Sequence, residues 1–288
     1  LTGPEHPIRA RAHPWAIAAV WAWQVAVALL LAWPAASLVR AAWGSRPGGD
    51  AVLWTEGGHA LLALLLHEAH GVEAGLRGAV LAIAAASVAG LVPTGALMAA
   101  IARPRTARAF VRAIQASLRA FPAMVTCGAA FLASQAAVLG AGAFIGTLSE
   151  GWAHGRLGEA RAQLVAGAAW LPFLAGAVVL GVTHDLARAA IVVRGERGLR
   201  GWLTGFQLLR AAPVAVCSAW AWRTLVAAGL VAAAAMFAGR VGGAGGAWLL
   251  LLAAAHQAVA ACKVALRASW LARAMRSATP QPASELSP

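Results

Sequence analysis

The chain has 288 residues, 61% of them hydrophobic and only 11% charged, with a formal net charge of +13. A soluble domain carries roughly a quarter charged residues, so this composition excludes a water-soluble enzyme or nucleic-acid module, and the pI near 11.8 reads as membrane topology. The single Lys (Lys263), the 22 Arg, and the absence of Asn and Tyr fit GC-rich coding, so the excess of Arg over Lys is no sign of phosphate recognition.

The composition predicts an all-α, polytopic membrane helix bundle with one domain over 1–276. Apolar segments long enough to cross a ~30 Å hydrocarbon core fall at about 15–39, 74–101, 121–147, 163–184, 213–239 and 246–265. The chain opens on Leu1 without Met, so a few residues are expected to precede it. The basic head and first apolar segment resemble a signal peptide. That segment is too long for an h-region, so it is read as a retained helix.

The connection after it holds His59, His67, Glu68, His70 and Glu73. His67 and His70 are spaced i, i+3 and could grip one metal with Glu68 or His59. His67-Glu68-Ala69-His70 is not the HExxH zinc motif, which needs i, i+4 histidines. Gly57–Leu66 is apolar but too short to span, and fits an interfacial or re-entrant helix. Trp residues at the segment ends fit interfacial belts, with Trp33 and Trp170 deeper. Gly140, Gly142, Gly176 and Gly181 would allow close helix packing.

Two connections are strongly basic. One carries Arg103, Arg105, Arg108, Arg112 and Arg119; the other Arg188, Arg194, Arg197, Arg200 and Arg210. With the head and the C-terminal end they place sixteen basic residues on one side of the spans and six on the other. Basic residues are retained in the cytoplasm. Both termini are therefore expected to be cytoplasmic, in a bacterial inner membrane, with an inner face of about +12 suited to anionic lipids.

Those connections also look like copies of each other. Arg105, Arg108, Ile114 and Gln115 align with Arg197, Arg200, Phe206 and Gln207, and each copy ends in Leu-Arg-Ala-x-Pro, at Pro122 and Pro213. Helical periodicity puts Arg108, Arg112, Gln115 and Arg119 on one stripe. In the second copy Arg197, Arg200, Thr204 and Gln207 oppose Leu199, Trp202, Phe206 and Leu209. The pattern describes two interfacial amphipathic helices in a parallel repeat of units about 74–147 and 163–239. Their arginines, Arg108, Arg112, Arg119, Arg197, Arg200 and Arg210, could dock headgroups or a partner protein. A repeat of this kind is found in some transporters; duplication of a stable hairpin is the alternative.

Ionisable groups inside a membrane segment are functional candidates. His256, with Gln257 beside it, lies ~15 Å into the last segment at 1.5 Å per residue, near the bilayer centre. It could relay protons, bind a substrate or cofactor, or bond Gln135 of another helix. His184, Asp185 and Arg188 share one turn, and Asp185 could pair with Arg188 or Arg223. Cys127, Cys217 and Cys262 have no CxxC spacing and read as buried free thiols. No P-loop, GxSxG or paired intramembrane aspartates occur, and no cofactor is expected. Residues 277–288 read as a flexible cytoplasmic tail.

His184-Asp185-Leu186-Ala187-Arg188 closes a segment and precedes a basic helix and Leu209-Arg210-Ala211-Ala212-Pro213. This is similar to uncharacterised six-helix membrane proteins of GC-rich bacteria, which have an Asp-x-Ala-Arg-type turn there. The resemblance implies a six-helix fold and no activity. Three functions are open. The first is a non-enzymatic accessory or assembly subunit of a membrane complex. The second is a transporter or permease component with a polar path around His256, Gln135 and Asp185. The third is a metal- or cofactor-binding membrane protein.

Overall fold

The computed structural model describes residues 13–43, 69–102, 109–241 and 246–279. All eight elements in them are helices: α1 (Pro14–Trp43), α2 (Ala69–Ala89), α3 (Leu91–Ile101), α4 (Ala109–Leu157), α5 (Glu159–Arg194), α6 (Gly198–Ala211), α7 (Pro213–Val241) and α8 (Ala247–Ala278). Six helical runs are long and apolar enough to cross a membrane. They are Pro14–Pro34, Arg77–Ile101 (α2 continuing into α3), and α4, α5, α7 and α8, with mean hydropathy of 1.6 to 2.0. The expected six-segment pattern therefore stands.

The spans extend beyond their apolar cores. The segment expected at 163–184 continues helically to Arg194, and that at 246–265 to Ala278. Ser277 and Ala278 thus belong to α8, not to a tail; residues 280–288 lie outside the described chain.

Prolines and glycines set the breaks. Pro93 has no N–H to offer the carbonyl of Ala89, and α2 gives way to α3 one turn before it, at Gly90. Gly195 caps α5 in the left-handed region (φ 67°), its N–H donating to Ile191 O at 3.0 Å, a common helix stop. Ala212 leaves the helical region (φ −149°, ψ 62°) and Pro213 opens α7, where its missing N–H has no intrahelical role. Pro122 behaves differently: α4 runs through it as one helix of 49 residues. The basic segment before Pro122 is thus fused to its membrane helix, whereas the one before Pro213 is a separate helix.

The helices gather at one pole, called the base here. α1 starts there, with Trp15 edge-on to Phe110 of α4 at 5.3 Å. Ser117 of α4 donates to Val92 O at 2.7 Å. The ends of α5 and α8 are tied by Arg194 Nε donating to Ala278 O at 2.6 Å. The core lies here: Leu97, Met98, Met124, Leu186, Trp270, Leu271 and Met275 are all fully buried.

α6 packs on α5 through Gly201 and Gly205. A Cβ at Gly205 would sit 2.6 Å from Thr183 O, so only glycine permits this approach. Thr204, expected on a polar stripe, is instead buried and donates to Glu196 Oε2 at 2.7 Å.

Away from the base, long stretches of each helix are exposed: Leu29 and Trp33 on α1, Leu132 and Phe144 on α4, Leu225 on α7, Leu250 on α8. In lipid this exposure costs little, and helices meet through small residues. The α4–α5 contact shows it, since Trp170 of α5 lies against Gly142 and Gly146 of α4. Of the glycines expected to pack, Gly142 does so closely. Gly176 makes ordinary contact with Val138, and Gly140 and Gly181 face open space.

Candidate functional site

Asp185 is 2% exposed and sits two turns from the end of α5. A buried carboxylate must be paired and hydrogen-bonded, and α5 and α8 supply the partners. Oδ1 accepts from Arg267 of α8. Oδ2 accepts from the indole Nε1 of Trp270, one turn on, at 2.8 Å. Arg188, one turn along α5, brings Nη1 to 3.8 Å of Oδ1. The i, i+3 spacings on α5 and α8 put each partner pair on one helix face.

The Asp185–Arg188 pairing expected from the sequence is present. The alternative with Arg223 is not: Arg223 donates to Ser269 Oγ at 3.2 Å and Ala219 O at 2.5 Å, and lies over the Trp222 ring at 4.5 Å. Arg267 and Trp270 were missed. Their signal was the i, i+3 pair on α8, but Arg267 counted there only as a topology charge.

Arg188 is 9% exposed, and its Nε has no hydrogen-bond partner. His184 stacks on Phe131 at 4.3 Å with 11° between the rings, edge-on to Trp202 at 6.2 Å. Its Nε2 is also buried without a partner. It therefore joins an aromatic cluster beside the ion pair.

Above this group lies a cavity of about 1140 Å³ between α1, α2, α3, α4, α5, α7 and α8. Its floor carries His184, Asp185, Arg188 and Arg267, with Gln24, Thr94 and Trp220. Its walls are apolar, among them Val27, Leu31, Val80, Ile83, Val125 and Leu132. A second cavity of about 500 Å³ shares Arg188, Arg267 and Trp220 and adds Arg223 and Lys263.

The other expected positions do not join this site. His256 is exposed and its Nδ1 contacts Leu252 O of its own helix at 2.8 Å; Gln257 is exposed as well. Gln135 donates to Ala177 O at 3.0 Å across the α4–α5 contact. The expected His256–Gln135 bond is absent: His256 contacts its own helix and Gln135 bonds to α5 instead, because α8 presents His256 outward. A path linking His256, Gln135 and Asp185 is not formed.

His59, His67 and Glu68 lie outside the described residues, as does Gly57–Leu66; His70 falls on α2, with its side chain also outside them. No group of three metal-ligating side chains occurs among the described residues. Arg108 lies outside them too, whereas Arg112, Arg119, Arg197, Arg200 and Arg210 are exposed at the base. Cys127 is buried, Cys217 half-buried and Cys262 exposed, all as free thiols. The expectation of three buried thiols thus fails at Cys262, which α8 turns outward.

Fold and site together define a multi-pass helical membrane protein with a charged floor, buried at Asp185 and Arg188, under an apolar cavity. No protein-family model matches the chain, and neither a curated protein nor a solved structure is significantly similar to it.

Proposed function

We propose that this chain is a non-enzymatic bacterial inner-membrane protein that works by holding a ligand in the cavity above Asp185, as a carrier or permease component. The observation that carries this reading is the cavity itself. It is large, apolar-walled, and floored by a few converging polar groups, the usual make-up of a ligand site. The base would face the cytoplasm with both termini, since the exposed Arg119, Arg200 and Arg210 cluster there and basic residues stay inside.

The parallel repeat belongs to this reading, with α6 as one interfacial helix. Leu199, Leu203, Arg200 and Arg210 are exposed on it, which suits a headgroup layer. The kinship with six-helix membrane proteins of GC-rich bacteria is likewise proposed.

Gly128 and Gly181 line the cavity, and a Cβ at either would meet open space. Gly128→Leu with Gly181→Leu should therefore fill the cavity without disturbing the base. The expected result is a protein of unchanged thermal stability that loses a ligand retained by wild type through mild-detergent purification. Equal retention in both would overturn the reading.

A second reading, docking of a membrane-complex partner, is favoured by the same exposed arginines. A partner protein that co-purifies with wild type and is lost on Arg200→Gln with Arg210→Gln would support it. Purification as a lone chain would count against it.

A further inference from the structure

The floor of the cavity is over-supplied with positive charge. Arg188, Arg267, Arg223 and Lys263 line the two adjoining cavities, which share Arg188 and Arg267, and Asp185 is the one carboxylate in their linings. Both oxygens of Asp185 already accept, one from Arg267 and one from Trp270. Arg188 is left nine-tenths buried with an unpartnered Nε. A buried donor without an acceptor is destabilising. The site therefore calls for an anion, and a guanidinium suits phosphate oxygens in particular.

The walls specify the rest of the ligand. On α1 the lining runs from Val20 to Leu31, a rise of about 16 Å at 1.5 Å per residue. That is close to half of a ~30 Å hydrocarbon core, the depth of one leaflet. Arg188 lies six residues before Arg194, the end of α5, about 9 Å by the same rise, so the charged floor sits toward the interface. Gly128 and Gly181 leave open space along the wall that rises from it. A free inorganic anion would use the floor and leave the walls empty.

We propose that the cavity binds a membrane phospholipid with a net-anionic headgroup, its phosphate at Arg188 with Arg267, Arg223 and Lys263 around it, and an acyl chain along the α4–α5 wall. The proposal rests on the cavity being a ligand site, as argued above, and adds the ligand's chemistry. Basic pockets between membrane helices on the cytoplasmic side are suited to anionic headgroups.

The test is native mass spectrometry of the full chain in mild detergent, titrated with phosphatidylglycerol or phosphatidylcholine. One phosphatidylglycerol should bind at least about tenfold tighter than phosphatidylcholine, a difference of about 1.4 kcal/mol. Arg188→Gln should abolish that preference. Arg223→Gln with Lys263→Gln leaves the Asp185 group intact, so it keeps the test open if Arg188→Gln does not fold, and it should weaken phosphatidylglycerol several-fold. Equal binding of both lipids, unaffected by these variants but lost in the Gly128→Leu, Gly181→Leu protein, overturns the anionic lipid and leaves the ligand site standing. Binding unaffected by the glycine variants overturns the ligand site itself. Full displacement of phosphatidylglycerol by millimolar inorganic phosphate would make this a free-anion site and overturn the lipid.

Discussion

Along α5, Val182 to Ile191 are buried except at His184, whereas Leu164, Leu171 and Leu174 of the same helix are 73%, 63% and 47% exposed. The buried stretch is the more polar of the two, with Thr183, His184, Asp185 and Arg188 in it and no polar side chain over 164–174, so hydrophobicity does not decide which is covered. What separates them is solvent. Where water can reach, apolar side chains must be covered, and α3, α6 and the end of α8 cover them. Where lipid surrounds the helix there is no such drive, and the outer part of α5 meets α4 through glycines, Trp170 and Phe173, with Gln135 bonding Ala177 O across the contact. The base therefore holds the fold together, and the membrane stretches stand apart enough to leave a cavity.

The sharpest way to break this comparison is to remove the charge that organises the base. Asp185→Ala strips the acceptor from Trp270 and leaves Arg188 and Arg267 uncompensated. Removing one partner of a buried pair costs about 3–5 kcal/mol, so thermal unfolding in detergent, followed by tryptophan fluorescence, should shift to much lower temperature. Asp185→Ala combined with Arg188→Met and Arg267→Met should recover a large part of the loss. A stability near wild type for Asp185→Ala alone would mean that the base is held by something else.

Next in size are two glycine contacts, one in each region. Gly205→Leu forces a side chain against the Thr183 carbonyl, which is fixed in α5. Gly146→Leu meets the edge of Trp170, a side chain with lipid beside it to move into. Overpacking costs about 1–3 kcal/mol, and Gly205→Leu should fall at the upper end and Gly146→Leu at or below the lower one. The reverse order in the same unfolding assay would place the tight packing in the membrane half.

The smallest effect is expected at His256. Its ring contacts only its own helix, so His256→Ala should change stability by no more than about 0.5 kcal/mol and leave lipid retention unchanged. A loss of retention would return His256 to the site.

The spans and the basic pole were legible because both are one-dimensional signals. Apolar run length fixes the first, and the spacing of arginines fixes the second. Asp185 and Arg188 were also legible, since i, i+3 neighbours on a helix must meet. Arg267 and Trp270 were not, because only the three-dimensional arrangement of α8 against α5 brings them to Asp185, 82 and 85 positions away. His256 misled for a related reason. Depth along a helix can be counted from the sequence, but the face that it presents depends on its neighbours, and α8 turns it outward. Pro122 shows the limit of motif reading: the tripeptide Leu-Arg-Ala precedes Phe121-Pro122 as it precedes Ala212-Pro213, yet one proline is carried within a helix and the other starts one.

The most direct measurement is an experimental structure of the full chain in nanodiscs containing phosphatidylglycerol. The expected result is headgroup density within hydrogen-bonding distance of Arg188 and a chain of density rising past Gly128 and Gly181. A cavity closed by α1 and α2 packing onto α4 and α5, with Arg188 paired to protein on every nitrogen, would contradict the account.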